Sequence, residues 1–198
     1  MSQADSSEKE RFYEVYILTE TLGMIVEHCK SQVPCEAIGF LVGKDYRWLG
    51  KKYVEVVGSI RGKTKASEVR VEFDDGVMGE IVTELRQRYP GQLVVGWYHS
   101  HPGYGCFMSP TDIETQRSCF REPHHVALVV DPVQELIEFF KLQGDGQTYR
   151  PASFGEVTSA YPQVTQEASV ILCPHCNAPV SPMALYCSMC GAGMRPSV

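Results

Sequence analysis

The sequence lacks the long apolar segment that a transmembrane helix requires, and it lacks an excess of basic residues. No run of 18 or more apolar residues occurs in the 198 residues, and the first ten, MSQADSSEKE, are polar. We therefore expect neither a membrane span nor a signal peptide. Lys and Arg number 18 against 24 Asp and Glu, a net charge of −6. Because no positive field exists for phosphate backbones, nucleic acid is not expected to be a main partner.

A disulfide framework is also missing from most of the chain. Four of the eight cysteines are scattered without a repeated spacing: Cys29, Cys35, Cys106 and Cys119. Scattered cysteines of this kind are typical of reduced, packed thiols. We therefore expect a cytoplasmic location.

The other four cysteines form a cluster near the C-terminus. Two C-x-x-C pairs are separated by ten residues: Cys173, Cys176, Cys187 and Cys190. This spacing is typical of a structural zinc site, and the alternative, two disulfides, would need an oxidising compartment that nothing else in the sequence indicates. Four thiolates leave no open coordination position, so this zinc would hold a fold and do no chemistry.

The middle of the chain carries the most informative stretch, LVVGWYHSHPGYGCFMSPTD over residues 93–112. Residues 93–98 are apolar, β-branched and aromatic, which predicts a buried strand. His99 and His101 follow at its end, and residues two apart project to the same side of a strand. Ser109, Pro110 and Asp112 then form a typical helix start. Two imidazoles and one carboxylate can hold a zinc ion with its fourth position open, as catalytic zinc sites do.

Each part of this stretch also has a plainer explanation. An isolated H-x-H pair more often belongs to a surface turn or to a hydrogen-bonded core than to a metal site. Ser109 and Asp112 are both explained by helix capping alone. The complete string is far more specific than its parts.

The whole string, VVGWYHSHPGYGCFMSPTDIETQ, and the later HVALVVDPVQ resemble the JAMM (MPN+) zinc metalloproteases over about residues 13–142. The resemblance implies an α/β fold in which helices sandwich a mixed sheet, of the cytidine-deaminase-like type. It assigns His99, His101 and Asp112 to a catalytic zinc ion, Ser109 to an assisting role, and Glu36 to the general base. Glu36 matches the family's base because it lies just before a strand of the small-x-Gly-apolar type.

The resemblance is strongest to the deubiquitinase branch of the family, which includes the proteasome-lid member. It implies hydrolysis of the amide bond between the C-terminal glycine of ubiquitin, or of a ubiquitin-like modifier, and a target amine. The implied partners are the modifier, its conjugates, and a proteasome or AAA+ unfoldase. The two alternatives are a peptidase that processes sulfur-carrier or other small ubiquitin-like proteins, and a modifier-binding scaffold without activity.

Residues 61–72 form a polar connection whose simplest interpretation is a solvated loop. In the deubiquitinases that the chain resembles, the corresponding insertion can form a hairpin that binds the modifier's extended tail by strand addition. The residues that we expect to contact substrate lie here and after the histidines: Arg61, Val69, Val71, Phe73, Gly105, Cys106 and Phe107.

The sequence also argues against other zinc hydrolases. A zinc deaminase requires His-x-Glu beside its metal, but the residue two after His99 is His101. An amidohydrolase barrel takes about 250 residues, which exceeds this chain.

Length and composition, including 43% hydrophobic residues, predict one full domain and a small appendage. We expect a tail over residues 1–11, the catalytic domain over 12–143, a linker rich in Gly, Pro, Ser and Thr over 144–169, and the zinc ribbon over 170–198. Within the catalytic domain we expect strands over residues 12–18, 37–42, 52–60, 93–98, 124–130 and 135–142. We expect helices over residues 19–33 and 109–122, and another that is capped by Asp74 or Asp75 and ends at Tyr89-Pro90-Gly91.

Overall fold

Eight strands in the N-terminal part of the chain form one mixed sheet in the computed structural model. The structure describes residues 12–48, 50–62, 75–158, 171–172, 176 and 179–180, with backbone alone at 75–78, 171–172 and 179–180. The chain divides into two compact units, Met1–Thr158 and Ser159–Val198. No helix among the described residues is both long enough and apolar enough to span a bilayer.

Strands and helices alternate along the first unit. In chain order the elements are β1 (Val15–Leu18), α1 (Thr19–Gln32), β2 (Ile38–Trp48), β3 (Lys51–Arg61), α2 (Asp75–Arg88), β4 (Leu93–Ser100), α3 (Pro110–Cys119), β5 (Val126–Asp131), β6 (Leu136–Leu142), β7 (Tyr149–Ala152) and β8 (Phe154–Val157). In the second unit, β9 (Ile171–Leu172) and β10 (Pro179–Val180) pair antiparallel.

The strand order in the sheet is β7-β6-β5-β4-β2-β3-β1-β8. Strand β4 is parallel to β5 and antiparallel to β2, while β1 is parallel to both β3 and β8. The other neighbours are antiparallel. Parallel pairs need crossover connections. Between β4 and β5 the chain makes that crossover through α3, which brings the start of this helix close to the end of β4.

Strands β7 and β8 lie in the stretch that the composition assigns to a linker, so that part of the expectation is wrong. They are consecutive in sequence, yet β7 pairs with β6 and β8 pairs with β1 at the opposite edge. Between them, the Ser153 carbonyl accepts hydrogen bonds from the N–H groups of Glu14 and Val15 at 3.0 and 3.1 Å. The prediction took Pro151 as a residue that prevents strand formation. However, β7 is an edge strand, and an edge strand tolerates a residue without an N–H.

Alternate residues of the strands enter two apolar cores, one on each side of the sheet. The first core contains Leu22, Ile25 and Cys29 of α1 together with strand residues such as Tyr98. The second contains Ile81 of α2, Trp97, and the residues Met108 and Phe120 that flank α3. This arrangement confirms the predicted α/β fold with a mixed sheet between helices.

Candidate metal centre and active site

Both histidines of the central stretch lie at the C-terminal end of β4, within the sheet's interior. His99 pairs with Ile38 of β2 on one side and with Val129 of β5 on the other. His101 follows the strand, and its N–H donates to the Val130 carbonyl at 2.9 Å. The two residues are only 3% and 5% exposed. Because the neighbouring strands fix the backbone on both sides, the two imidazoles are held in a well-defined position.

Helix α3 begins with a reciprocal cap that also orients a carboxylate. The Asp112 N–H donates to Ser109 Oγ at 3.2 Å, and the Ser109 N–H donates to Asp112 Oδ2 at 2.7 Å. Pro110 occupies the first helical position. These contacts form a capping box, with aspartate in place of the more usual glutamate. The box fixes the Asp112 carboxylate at the start of the helix.

The Asp112 carboxylate lies between the two imidazoles. Its Oδ1 is 3.4 Å from His99 Nε2, and its Oδ2 is 3.5 Å from His101 Nε2. Within the described part of the chain, these three residues are the one group of three or more His, Cys, Asp or Glu side chains whose ligand atoms all lie within 4.8 Å of one another. The structure therefore brings together the three predicted zinc ligands, without a fourth from the residues it describes.

The charges of Asp112 and His101 stabilise each other. Burial alone would raise the pKa of Asp112, but the neighbouring imidazoles of His101 and His99 and the hydrogen bond from Ser109 hold this pKa well below its usual range. Burial would lower the pKa of His101, yet hydrogen bonding to Asp112 and the negative charges of Asp112 and Glu36 leave it above its usual value. An ionised carboxylate beside two imidazoles provides the ligand types that a zinc ion binds.

A second observation supports the binding of a zinc ion by these three residues. Among the buried imidazole nitrogens that have no hydrogen-bond partner in the described part of the chain, His99 Nε2 is the one that faces the Asp112 carboxylate. Buried polar atoms are nearly always satisfied, so unpartnered ones indicate a bound species. Two imidazoles and a carboxylate with one open position are typical ligands of catalytic zinc.

Glu36 precedes β2 at the same end of the sheet. The Ser100 N–H donates to the Ala37 carbonyl at 3.0 Å, and the Ala37 N–H donates to Ser100 Oγ at 2.8 Å. Continuing this antiparallel register by one residue puts Glu36 across from His101. Glu36 is exposed, and its charge contributes to the raised pKa of His101. A carboxylate here can reach solvent beside the three ligands.

The loop from His101 to α3 is held by a buried carboxylate that the sequence analysis did not single out. Asp131, at the end of β5, accepts hydrogen bonds from the N–H groups of Gly103, Gly105, Val133 and Gln134 at 2.7 to 3.0 Å. Burial alone would raise its pKa, but the four donors lower it to about 2. The Asp-Pro turn after a strand was the available signal for this role.

Three residues that were predicted to contact substrate lie in this loop. The Phe107 ring packs against His101 with 4.6 Å between ring centroids and is 40% exposed. The Cys106 thiol donates to the Val129 carbonyl at 3.3 Å, and burial raises its pKa. Gly105 has φ of 81°, which favours glycine, and its N–H is bonded to Asp131. Phe107 therefore contacts a metal ligand directly, whereas Cys106 and Gly105 are bonded to Val129 and Asp131 of the neighbouring strand β5.

The other predicted residues are less closely tied to this centre. Arg61 is the exposed last residue of β3, across from Gly39. The remaining three proposed for the modifier's tail, Val69, Val71 and Phe73, lie outside the described residues. The four-cysteine site stays a prediction, because Cys176 alone of its four ligands falls within the described residues.

A sequence profile of the JAB1/Mov34/MPN/PAD-1 ubiquitin protease family matches residues 10–122, a range that contains Glu36 and the whole candidate metal centre. The chain belongs to this family. The JAB/MPN assignment agrees with the predicted JAMM resemblance and with the mixed sheet between helices.

Among its JAB/MPN relatives is the 26S proteasome regulatory subunit RPN11 of Eremothecium gossypii, 34% identical over 152 residues. The match covers 73% of this chain and 48% of that relative. The 26S proteasome non-ATPase regulatory subunit 14 of Caenorhabditis elegans is 35% identical over 137 residues, covering 68% of this chain and 41% of the relative. COP9 signalosome complex subunit 5 of Candida albicans is 33% identical over 155 residues, a match that covers 71% of this chain and 25% of that relative. The chain thus spans about half the length, or less, of these relatives.

A solved structure supports the fold independently of close sequence similarity. The solution structure of a protein from Desulfitobacterium hafniense matches with a TM-score of 0.54 over 73% of this chain and 93% of that one. Its sequence is 19% identical, so the likeness concerns the fold alone.

Proposed function

We propose that this JAB/MPN protein is a zinc-dependent isopeptidase. Its reaction is hydrolysis of the amide bond between the C-terminal glycine of ubiquitin, or of a ubiquitin-like modifier, and a target amine. The observation that carries the proposal is the buried cluster of His99, His101 and Asp112, whose ligand atoms lie within 4.8 Å of one another and include His99 Nε2, which has no hydrogen-bond partner among the described residues. The description of the family as a ubiquitin protease family supports the substrate class.

The open position of the cluster gives the site its chemistry. A zinc ion held by these residues would act as a Lewis acid on a water molecule and lower its pKa from about 16 towards about 7. Glu36, exposed and across from His101, is the general base that accepts a proton from that water and returns it to the departing amine.

Ser109 assists at the carbonyl oxygen of the substrate. Its oxygen already accepts the Asp112 N–H as part of the helix cap, so the hydroxyl proton remains to be donated. Donation to the oxyanion that develops during attack would stabilise the transition state, and loss of one such donor costs about 2.7 to 4 kcal/mol. The cap and the catalytic role use different parts of the same hydroxyl.

We also propose that residues 170–198 bind a second, structural zinc ion through Cys173, Cys176, Cys187 and Cys190. The proteasome, or an AAA+ unfoldase, is the proposed partner that presents conjugates, and the cytoplasm is the proposed compartment. Co-sedimentation of the full chain with purified proteasomes tests the partner. Deletion of residues 170–198 tests whether the ribbon is needed for that association.

The deciding experiment compares Glu36→Gln with Glu27→Gln in the full chain. Both changes neutralise an exposed glutamate, but Glu27 is on α1. We expect Glu36→Gln to retain zinc and to lose ubiquitin–peptide isopeptide hydrolysis by about 10²- to 10⁴-fold, while Glu27→Gln stays like the wild type. Undiminished hydrolysis by Glu36→Gln, or by chelated wild type, would refute the proposal. Faster cleavage of a sulfur-carrier fusion than of the ubiquitin substrate would favour the alternative peptidase.

A further inference from the structure

Helix α3 lacks an apolar face of its own. Its buried side chains are Asp112 and Gln116, both polar, and Ile113 is only half-buried. Residues four apart lie on the same face of a helix, so the metal ligand and the glutamine face the sheet together. Whatever fixes the position of Gln116 therefore also fixes the position of Asp112.

Gln116 is held by two hydrogen bonds in the second core. The indole N–H of Trp97 donates to Gln116 Oε1 at 2.7 Å, and Gln116 Nε2 donates to the Phe120 carbonyl at 3.1 Å. Gln116 and Trp97 are each 2% exposed. Because a buried polar group left without a partner costs about 1 to 3 kcal/mol, this pair strongly favours a single position of α3 against β4.

Trp97 also contacts the metal centre from its own side. It lies two residues before His99 on β4, so both side chains project from the same face of the strand. The two rings stack with 4.5 Å between centroids and an interplanar angle of 16°. Metal-binding histidines are usually oriented by a hydrogen bond from the second ring nitrogen, but His99 Nδ1 has no such partner among the described residues. The stacked indole supplies that orientation instead.

Strand β4 and helix α3 are thus joined by two parallel side-chain pairs, His99 with Asp112 and Trp97 with Gln116. We propose that Trp97 and Gln116 are positioning residues of the metal centre. Their hydrogen bond holds α3 so that Asp112 stays within reach of both histidines before an ion binds. The inference rests on the metal centre of the proposed function.

Zinc affinity, measured on the full chain by chelator competition, tests the inference. The zinc of this centre is identified as the ion that His99→Ala loses. Trp97→Phe keeps an aromatic ring beside His99 but removes the N–H donor, and Gln116→Met keeps the length of the side chain but removes the acceptor. We expect each variant to bind this zinc about 10- to 100-fold more weakly. The double variant should bind zinc no more weakly than Gln116→Met alone, because that change already removes the bond to Trp97 together with the bond to the Phe120 carbonyl.

Tyr98→Phe is the matched control. Tyr98 is a buried neighbour of Trp97 on the opposite face of β4, and its hydroxyl is 2.8 Å from His28 Nδ1 in the first core. The control therefore also loses one buried hydrogen bond, yet we expect its zinc affinity to stay within about twofold of wild type.

Three outcomes would overturn the inference. One is wild-type zinc affinity in Trp97→Phe and Gln116→Met. Another is an equal loss of affinity in Tyr98→Phe, since a general core effect would then explain the result. If Trp97→Phe does not fold, Gln116→Met alone decides. If the wild-type chain has no zinc that depends on His99, the proposed function itself fails, and the inference fails with it.

Discussion

Helices α1 and α3 pack against the same sheet by different means. Helix α1 buries a mainly apolar face that includes Leu22, Ile25 and Cys29, at spacings of three and four residues. Helix α3 buries Asp112 and Gln116. Hydrophobic burial stabilises α1 without regard to detailed geometry, whereas the contacts of α3 depend on distance and direction. The difference indicates that fold stability and site geometry are assigned to different helices.

The two helix starts differ in the same sense. The N-cap of α1 is Leu18, which makes no side-chain capping bond. The N-cap of α3 is Ser109, in a capping box completed by Asp112. A helix with a large apolar face can tolerate an uncapped end, but α3 needs its cap. The same cap orients a metal ligand, so one set of hydrogen bonds stabilises the helix and builds the centre.

Removal of the metal should give the largest contrast between the helices. Asp112→Ala, or a chelator, should lower the zinc content by about one ion per chain and abolish turnover. Amide hydrogen exchange should then increase in α3 (Pro110–Cys119) much more than in α1 (Thr19–Gln32), because only α3 carries a ligand. Metal analysis and exchange mass spectrometry measure the two effects.

The same exchange measurement on Glu27→Gln, which leaves the ligands intact, is the control for this contrast. Equal increases in both helices after chelation would mean that the ion stabilises the whole domain. The contrast between α1 and α3 would then be wrong.

Ile25→Ala should produce the opposite pattern. Ile25 is fully buried in the first core, so truncation should lower the free energy of unfolding by about 2 to 5 kcal/mol. Zinc affinity of the folded protein should remain unchanged, since the second core is intact. Urea denaturation and chelator competition measure these quantities. Met24→Ala, on the exposed side of the same helix, should cost less than about 0.5 kcal/mol. A loss of zinc affinity in Ile25→Ala comparable to its loss of stability would show that the two cores are coupled.

Ser109 allows the cap of α3 to be separated from its chemistry. Ser109→Ala should lower stability by about 1 kcal/mol, whereas Ser109→Gly should cost only a few tenths, because glycine is a good N-cap. Both variants lack the hydroxyl, so both should slow turnover by about 10²- to 10³-fold. Thermal unfolding and single-turnover kinetics distinguish the effects. If turnover changed in proportion to stability, so that Ser109→Gly turned over nearly as fast as the wild type, Ser109 would act only as a helix cap.

Much of this arrangement could be predicted because it is local in sequence. The period of two in a strand puts His99 and His101 on one side, and the Ser-Pro-x-Asp pattern predicts the start of α3. The histidines and the start of α3 come close together because α3 forms the crossover between β4 and β5. Glu36 could be assigned only through the family resemblance, since a register between β2 and β4 decides what lies across from it.

The residues that were missed depend on contacts between distant segments. Asp131 bonds to glycines 26 and 28 residues earlier in the chain, and Gln116 bonds to Trp97 across 19 residues. Taken alone, a glutamine in a polar helix predicts a solvated face, and an aspartate before proline predicts a turn. Strand β8 was missed for the same reason, because its partner β1 lies near the other end of the first unit in sequence, whereas β7 pairs with the preceding strand β6 and was missed because it contains Pro151.

The smallest expected effect concerns the loop that joins β4 to α3, and it depends on pH. The folded-state pKa of Asp131, about 2, is below its ordinary value of 3.8, so ionised Asp131 stabilises the fold above about pH 4. That contribution should disappear as the pH falls from about 4 to 2. Asp131→Asn should therefore lose less stability than wild type over this range, as measured by urea denaturation.

Asp145 provides the comparison, because its pKa is also about 2, lowered first by a hydrogen bond from the Thr148 hydroxyl and then by N–H donors. It lies in the exposed turn before β7, with no metal ligand among its hydrogen-bond partners. Asp145→Asn should likewise reduce the acid sensitivity, but at neutral pH Asp131→Asn alone should weaken zinc binding. The physical reason is that Asp131 binds the N–H groups of Gly103 and Gly105, in the loop between β4, which carries the two histidines, and α3, which carries Asp112. Equal zinc affinities in the two variants would mean that the metal ligands keep their positions without the hydrogen bonds from Asp131 to the loop. The position of α3 would then be set by its cap and by Gln116.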